Sequence, residues 1–115
     1  MHEAAIAQAV LDTALEALPD KESRITTITV VAGVLAGVEE ECLAAYFNEL
    51  CRCTAAEGAS LRLVMEPARL ICKECGKQTN YAGGGRLALE CSACGGLNHL
   101  EGGKALYLDS VEVES

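Results

Sequence analysis

The spacing that most constrains this chain runs from Cys72 to Cys94: Cys72-Lys73-Glu74-Cys75-Gly76, then, after a gap of fifteen residues between the pairs, Cys91-Ser92-Ala93-Cys94-Gly95. Two Cys-x-x-Cys pairs bring four thiolates together, a soft set that suits tetrahedral Zn(II) and closes its coordination shell. The glycine after each pair permits the positive φ that a tight knuckle needs, and leaves backbone N–H groups exposed near sulfur. Two disulfides or four unrelated thiols are the competing readings, and paired spacing with trailing glycines weighs against both. A closed four-sulfur site has no open position for water or substrate, so it points to structure and away from catalysis.

Composition narrows the partners. The chain has 115 residues, half of them apolar, enough for one modest core and a small metal-held appendage. Phe47, Tyr46, Tyr81 and Tyr107 are the only aromatic residues, so the core is expected to be aliphatic and no base-stacking platform is expected. Nine basic against seventeen acidic residues give a net charge of −8, which repels a phosphate backbone and excludes nucleic acid as a partner class. No apolar run reaches the roughly eighteen residues of a membrane span, and the N-terminus lacks a basic region followed by an apolar one. A soluble cytoplasmic protein with no membrane partner is expected. Four of the seven cysteines read as metal-bound, leaving Cys42, Cys51 and Cys53 as reduced thiols.

Taken in order, Ile6, Val10, Leu11, Ala14, Leu15 and Leu18 recur at helical steps and predict an amphipathic helix over 4–18, stopped by Pro19. The β-branched run 25–32, ended by Gly33, predicts a central strand. Residues 33–37 read as a loop, and Glu39-Glu40-Glu41 place carboxylates in the first turn of a second helix, whose buried stripe would be Leu43, Tyr46, Phe47 and Leu50. Cys42 and Cys51 would be small apolar fillers beside it. Residues 61–66 alternate as a half-buried strand ended by Pro67. Gly83-Gly84-Gly85 at the ribbon tip specify no rigid turn. Residues 105–113 read as a last strand with a change of parity, Leu106 and Leu108 against Val111 and Val113, that a bulge near Asp109-Ser110 would reconcile.

The economical arrangement is an α+β fold: a small three-stranded sheet with two helices on one face, into which a four-cysteine zinc ribbon is inserted. Residues 1–66 with 105–115 would form the larger domain and 67–104 the inserted one. If the strands flanking the second helix share a sheet, they form a parallel crossover.

The N-terminus carries a second constellation. A His near a terminus is ordinarily a solvated surface residue, but in Met1-His2-Glu3 the α-amine, the His2 backbone nitrogen and the imidazole Nδ1 lie on consecutive fused chelate rings. With the amide deprotonated they present three nitrogens in one plane, which suits Ni(II) or Cu(II) and not tetrahedral Zn(II). The initiator Met is expected to be retained before a residue as large as His, so the amine would belong to Met1.

Met1-His2-Glu3 opening a helix, the Gly33 loop running into Val38-Glu39-Glu40, the segment Ala56-Glu57-Gly58-Ala59 and the ribbon of Cys72, Cys75, Cys91 and Cys94 together resemble the HypA/HybF family over essentially the whole chain. The resemblance implies a metallochaperone, not an enzyme, carrying transferable Ni(II) beside a structural Zn(II) and serving the maturation of [NiFe] hydrogenase. The partners it implies are a HypB-like GTPase, the hydrogenase large subunit and, in some organisms, urease maturation proteins. It also implies a nickel domain of sheet and helices from which a zinc domain projects. The family's nickel residues map onto Met1 and His2, with Glu3 adjacent. Glu39 falls where some members place a further acidic residue, although the helix dipole explains it more cheaply. Some relatives carry histidines directly beside the cysteine pairs; here Lys77 and Gly95 stand there, so an acid-triggered exchange of Cys for His is not expected. His99 is the other imidazole of the chain, open to two readings, a further nickel ligand or a plain surface residue.

Rival classes remain in view. A rubredoxin-like carrier uses two such knuckles but wraps an aromatic core that this ribbon lacks. A zinc-ribbon protein–protein interaction module without nickel chemistry would tolerate loss of Met1 and His2. Hydrolytic catalysis is disfavoured by the absence of a nucleophile elbow, a phosphate-binding glycine loop and an open metal site.

Overall fold

The structure, a computed structural model, describes residues 2–114. Met1 lies outside the described residues, as does the side chain of His2. In chain order the elements are α1 (His2–Glu16), β1 (Arg24–Gly33), α2 (Glu40–Leu50), β2 (Ser60–Glu66), β3 (Ala68–Cys72), β4 (Gln78–Tyr81), β5 (Asn98–Gly102) and β6 (Leu106–Glu114). No helix among the described residues is long and apolar enough to cross a membrane.

The β-branched run forms the centre of the first sheet, whose order is β2-β1-β6. β1 is buried without a break from Ile28 to Gly33, the pattern of a strand covered on both faces. The Val34 N–H donates to the Glu66 carbonyl at 2.9 Å, so β1 and β2 finish together, as a parallel crossover through α2 requires. Thr26 Oγ1, near the start of β1, donates to the Glu112 carbonyl near the end of β6, at 3.2 Å, so β6 runs the other way.

The chain divides into two compact units. The first comprises the described residues of Met1–Val31, Val38–Val64 and Leu106–Ser115. Its core joins Ala7, Val10, Leu11 and Ala14 of α1 to Ile25, Ile28 and Val30 of β1 and to Leu43 and Phe47 of α2. Phe47 brings one aromatic ring into an otherwise aliphatic interior. Tyr46, expected in the buried stripe, is 44% exposed. α2 buries Leu43 and Phe47, one turn apart, packs the partly buried Leu50 against the same core and leaves the phenol in water. Cys51 fills the core as expected, and burial pushes its thiol up to about 11, which keeps it protonated and inert. In β6, Leu108 and Val111 both pack against this core although they lie three residues apart, which demands the parity change read from the sequence.

α1 stops at Glu16, two residues before the predicted end. Ala17 and Leu18 bond back to the carbonyls of Ala14 and Leu15 in a tightened last turn, because Pro19 disfavours helical geometry in Leu18. Beyond it, Asp20 Oδ1 accepts from the Glu22 N–H, the Ser23 N–H and the buried Ser23 Oγ, at 2.9, 2.9 and 3.0 Å. The Ser23 hydroxyl first, then the two N–H groups, hold the Asp20 carboxyl below its usual range. A carboxylate favoured in the folded state stabilises above its unfolded pKa, and that contribution is lost as pH falls through the folded value. Asp20→Ala is therefore expected to lower the melting temperature at neutral pH, with the deficit shrinking in strong acid; thermal melts at the two pH values check it.

The second unit comprises Ala32–Gly37 and Met65–Ala105. Its sheet has the order β4-β3-β5, with β3 antiparallel to both neighbours. Residues 32–37 join this unit through backbone bonds that no side-chain pattern announces: Gly33 N–H to the Ala105 carbonyl at 2.7 Å and Leu35 N–H to the Gly103 carbonyl at 2.6 Å. Gly33 has to be glycine, since a Cβ there would land on the backbone of Gly103.

Candidate metal centre

The two knuckles have the same local construction. β3 ends on Cys72; the Cys72 N–H donates to the Lys77 carbonyl at 2.9 Å, and the Gly76 N–H returns to the Cys72 carbonyl at 3.1 Å. In the second knuckle the Cys91 N–H donates to the Gly96 carbonyl at 2.7 Å and the Gly95 N–H to the Cys91 carbonyl at 2.9 Å. Gly76 and Gly95 both stand at φ 78°, the left-handed conformation their positions predicted. Backbone donors then turn toward sulfur. Cys72 Sγ accepts from the N–H groups of Glu74 and Cys75 at 3.3 and 3.4 Å, Cys91 Sγ from that of Ala93 at 3.4 Å, and Cys94 Sγ from that of Gly96 at 3.4 Å.

All four sulfurs lie within 4.8 Å of one another. Cys72 and Cys94 Sγ are 3.5 Å apart, and Cys75 and Cys91 Sγ 3.7 Å. Disulfide sulfurs would be bonded at about 2.05 Å, so these are free thiols. A tetrahedron with metal–sulfur bonds of about 2.3 Å has edges of about 3.8 Å, and the observed separations fit it. Cys72 and Cys91 are half of the set on the buried side, and Cys75 and Cys94 are exposed.

Electrostatics agrees with the geometry. The Cys75 and Glu74 N–H groups draw the Cys72 thiol down to about 6, and the Ala93 N–H draws Cys91 down as well. At Cys94 the Gly96 N–H is outweighed by the sulfurs of Cys72 and Cys75, which push the thiol up to about 12. Four thiolates this close cannot coexist without a compensating positive charge, which a divalent soft cation would supply.

The other predicted ligands fall in different places. Glu3 and Glu39, far apart in sequence, are brought together: Glu3 Oε2 accepts the Glu39 N–H at 3.1 Å, an acceptor at the N-cap of α2. That bond, then the Glu3 N–H, holds the Glu3 carboxyl below its usual range. The Glu39 side chain makes no cap; its Oε1 accepts from Cys42 Sγ at 3.6 Å, and the carboxylate charge pushes that thiol up. Cys42 is exposed beside two carboxylates and is not the apolar filler expected of it. The i, i+3 step from Glu39 to Cys42 at a helix start is the sequence signal for this contact. His99 lies on β5 opposite Ile71 of β3, 40% exposed, with Nε2 3.2 Å from Glu101 Oε2; Glu101 Oε1 also pairs with Arg69 at 3.0 Å. It stands outside the four-sulfur set.

Residues 1–113 match the family model described as "Hydrogenase/urease nickel incorporation, metallochaperone". The hydrogenase maturation factor HypA of Caldanaerobacter subterraneus is 37% identical over 117 residues, covering 99% of this chain and 100% of the relative. That of Aquifex aeolicus is 35% identical, covering 99% and 98%. Among solved structures, the solution structure of the Ni metallochaperone HypA from Helicobacter pylori superposes with a TM-score of 0.58 at 18% identity, over 96% of this chain and 95% of that one, a likeness of fold.

Proposed function

Since the chain belongs to the HypA family of hydrogenase/urease nickel-incorporation metallochaperones, we propose that it carries Ni(II) as cargo to a nickel enzyme under assembly, with Zn(II) held permanently in its ribbon. The family match over residues 1–113 carries the nickel part. Cys72, Cys75, Cys91 and Cys94 would hold the zinc, which supplies the charge that lets four thiolates share one small space. The chain's own part there is to present sulfurs already bonded to backbone N–H groups. In sequence terms, 67–104 is the zinc-binding domain, and 1–66 with 105–115 the nickel-binding domain.

The cargo ligands are the Met1 amine, the His2 backbone nitrogen and the His2 imidazole, a planar set suited to nickel. Glu3 follows as a tether: its carboxylate, bonded to the Glu39 N–H, ties the first turn of α1 to the start of α2 immediately after the donor residues. Glu39 then acts on the site through its N–H, and His99 is a further candidate donor for the fourth corner. A delivery site must exclude water yet surrender its metal, and ligands at a chain end can be given up one at a time. The receivers are a HypB-like GTPase and the large subunit of [NiFe] hydrogenase, with urease maturation proteins as the other outlet. The protein has no enzymatic step of its own and works in the cytoplasm.

Elemental analysis of tag-free protein and of a form extended at its N-terminus is the test. Both are expected to hold about one zinc per chain, and only the authentic terminus is expected to hold nickel tightly. Equal nickel in both forms would overturn the terminal site.

A further inference from the structure

β6 is an edge strand: it pairs with β1 on one side, and among the described residues its other edge has no neighbour in the sheet. A long edge is normally blunted by lysine, proline or a covering element, because its free N–H and C=O groups recruit another strand. β6 has nine residues, none of them Lys, Arg or Pro, and Leu106, Tyr107 and Val113 are 41%, 48% and 45% exposed. Beside its first residues, a groove of about 340 Å³ opens between Ile6, Ala9 and Thr13 of α1 and Leu106, Tyr107 and Leu108. Ala9 and Thr13 are exposed and small, so the helix leaves room above the strand edge.

Charge selects the occupant. α1 carries Glu3, Asp12 and Glu16, β6 carries Asp109, Glu112 and Glu114, and neither element has a Lys or Arg. Two copies of β6 paired antiparallel would gather their carboxylates along one joint, which like-charge repulsion opposes. A helix seated in the groove would leave the free backbone row unpaired, whereas an added strand satisfies it. Leu108 and Val111 face the core, so Asp109 and Glu112 point to the other side of the sheet.

We propose that β6 and the α1 groove take an extended segment of a partner protein as a fourth strand, with apolar side chains at alternate positions entering the groove and lysine or arginine between them meeting Asp109 and Glu112. This surface is independent of the metal assignments above and stands or falls without them.

The test uses tag-free full-length protein and a short synthetic peptide of alternating valine and lysine, followed by amide NMR shifts and fluorescence anisotropy. The expected result is binding that weakens with salt, shifts confined to β6 and to Ile6, Ala9 and Thr13, and an extended bound peptide. A peptide of the same composition with its valines blocked together, or with a central proline, should bind far more weakly. Ala9→Arg, which fills the groove from an exposed position, and Asp109→Lys should each weaken binding roughly tenfold while leaving the circular dichroism unchanged. No binding, equal binding by both variants, shifts elsewhere, a helical bound peptide, or self-association through β6 without peptide would each overturn the proposal.

Discussion

Tag-free protein titrated with nickel is expected to develop the yellow absorption of a planar, low-spin site, and one residue placed ahead of Met1 is expected to abolish it. The extra residue moves the α-amine to another position and breaks the run of fused chelate rings on which a planar three-nitrogen set depends. His2→Ala removes the imidazole and should cost roughly a hundredfold or more in nickel affinity, since even outer partners of a ligand are worth 10–100-fold. Retained planar absorption in either variant would sink the terminal site. Affinity should also fall as pH drops below neutrality, because protons compete with the metal for the amine, the amide and the imidazole nitrogens. Glu3 keeps its charge through that window, its carboxyl being held below the usual range by the Glu39 N–H. The loss with acid would then report the nitrogens themselves and not release of the first turn of α1.

Cys91→Ala is expected to empty the ribbon of zinc and unfold the second unit while leaving the helices in place. A three-sulfur remnant loses an anion from a set in which Cys72 and Cys91 are the two thiols that backbone donors draw down. Metal binding to such a small unit is inseparable from its folding, and its sheet of three short strands has little apolar burial apart from Ala68, Leu70 and Cys72. Both helices and the main hydrophobic core lie in the first unit. Far-ultraviolet circular dichroism should therefore keep its helical signal as zinc content falls from about one per chain to near zero. Loss of the helical signal along with the zinc would show that the two units fold as one.

What the sequence made legible follows the strength of its periodicities. α1, β1, α2, β2 and β6 all appear within two residues of their predicted ends: α1, α2 and β2 through an apolar face that repeats at 3.6 or 2, β1 through its unbroken β-branched run, and β6 through two short alternations of opposite parity. The knuckles were legible through cysteine spacing and two glycines. The strands inside the ribbon were not: β4 reads Gln-Thr-Asn-Tyr and β5 Asn-His-Leu-Glu-Gly, too short and polar to alternate. Nor was the attachment of 32–37 to the ribbon unit, which rests on backbone bonds indifferent to side chains. Near the N-terminus, the bond from the Glu39 N–H to the Glu3 carboxylate depends on two helix starts meeting in space, which no local pattern announces. Tyr46 and Cys42 show the limit of helical stripes: both sit on the shoulder of α2, where one position decides between core and water.

The backbone N–H groups that reach Cys72, Cys91 and Cys94 Sγ come in each case from the same knuckle as the sulfur. The ribbon is thus two claws on one leash, each shaping its own turn and joined to the other where the Lys73 N–H donates to the Leu97 carbonyl at 2.9 Å. The part of that leash between Tyr81 and Glu90 forms no regular element, and at Gly84 and Gly85 an added Cβ would meet nothing within 4 Å. Closing a flexible loop costs free energy only logarithmically in its length, about 0.6 kcal/mol for each doubling. The tip is consequently the place where this small protein can gain or lose residues without disturbing the grip of either claw, whereas one residue inserted within a knuckle would misdirect the N–H groups it turns toward sulfur.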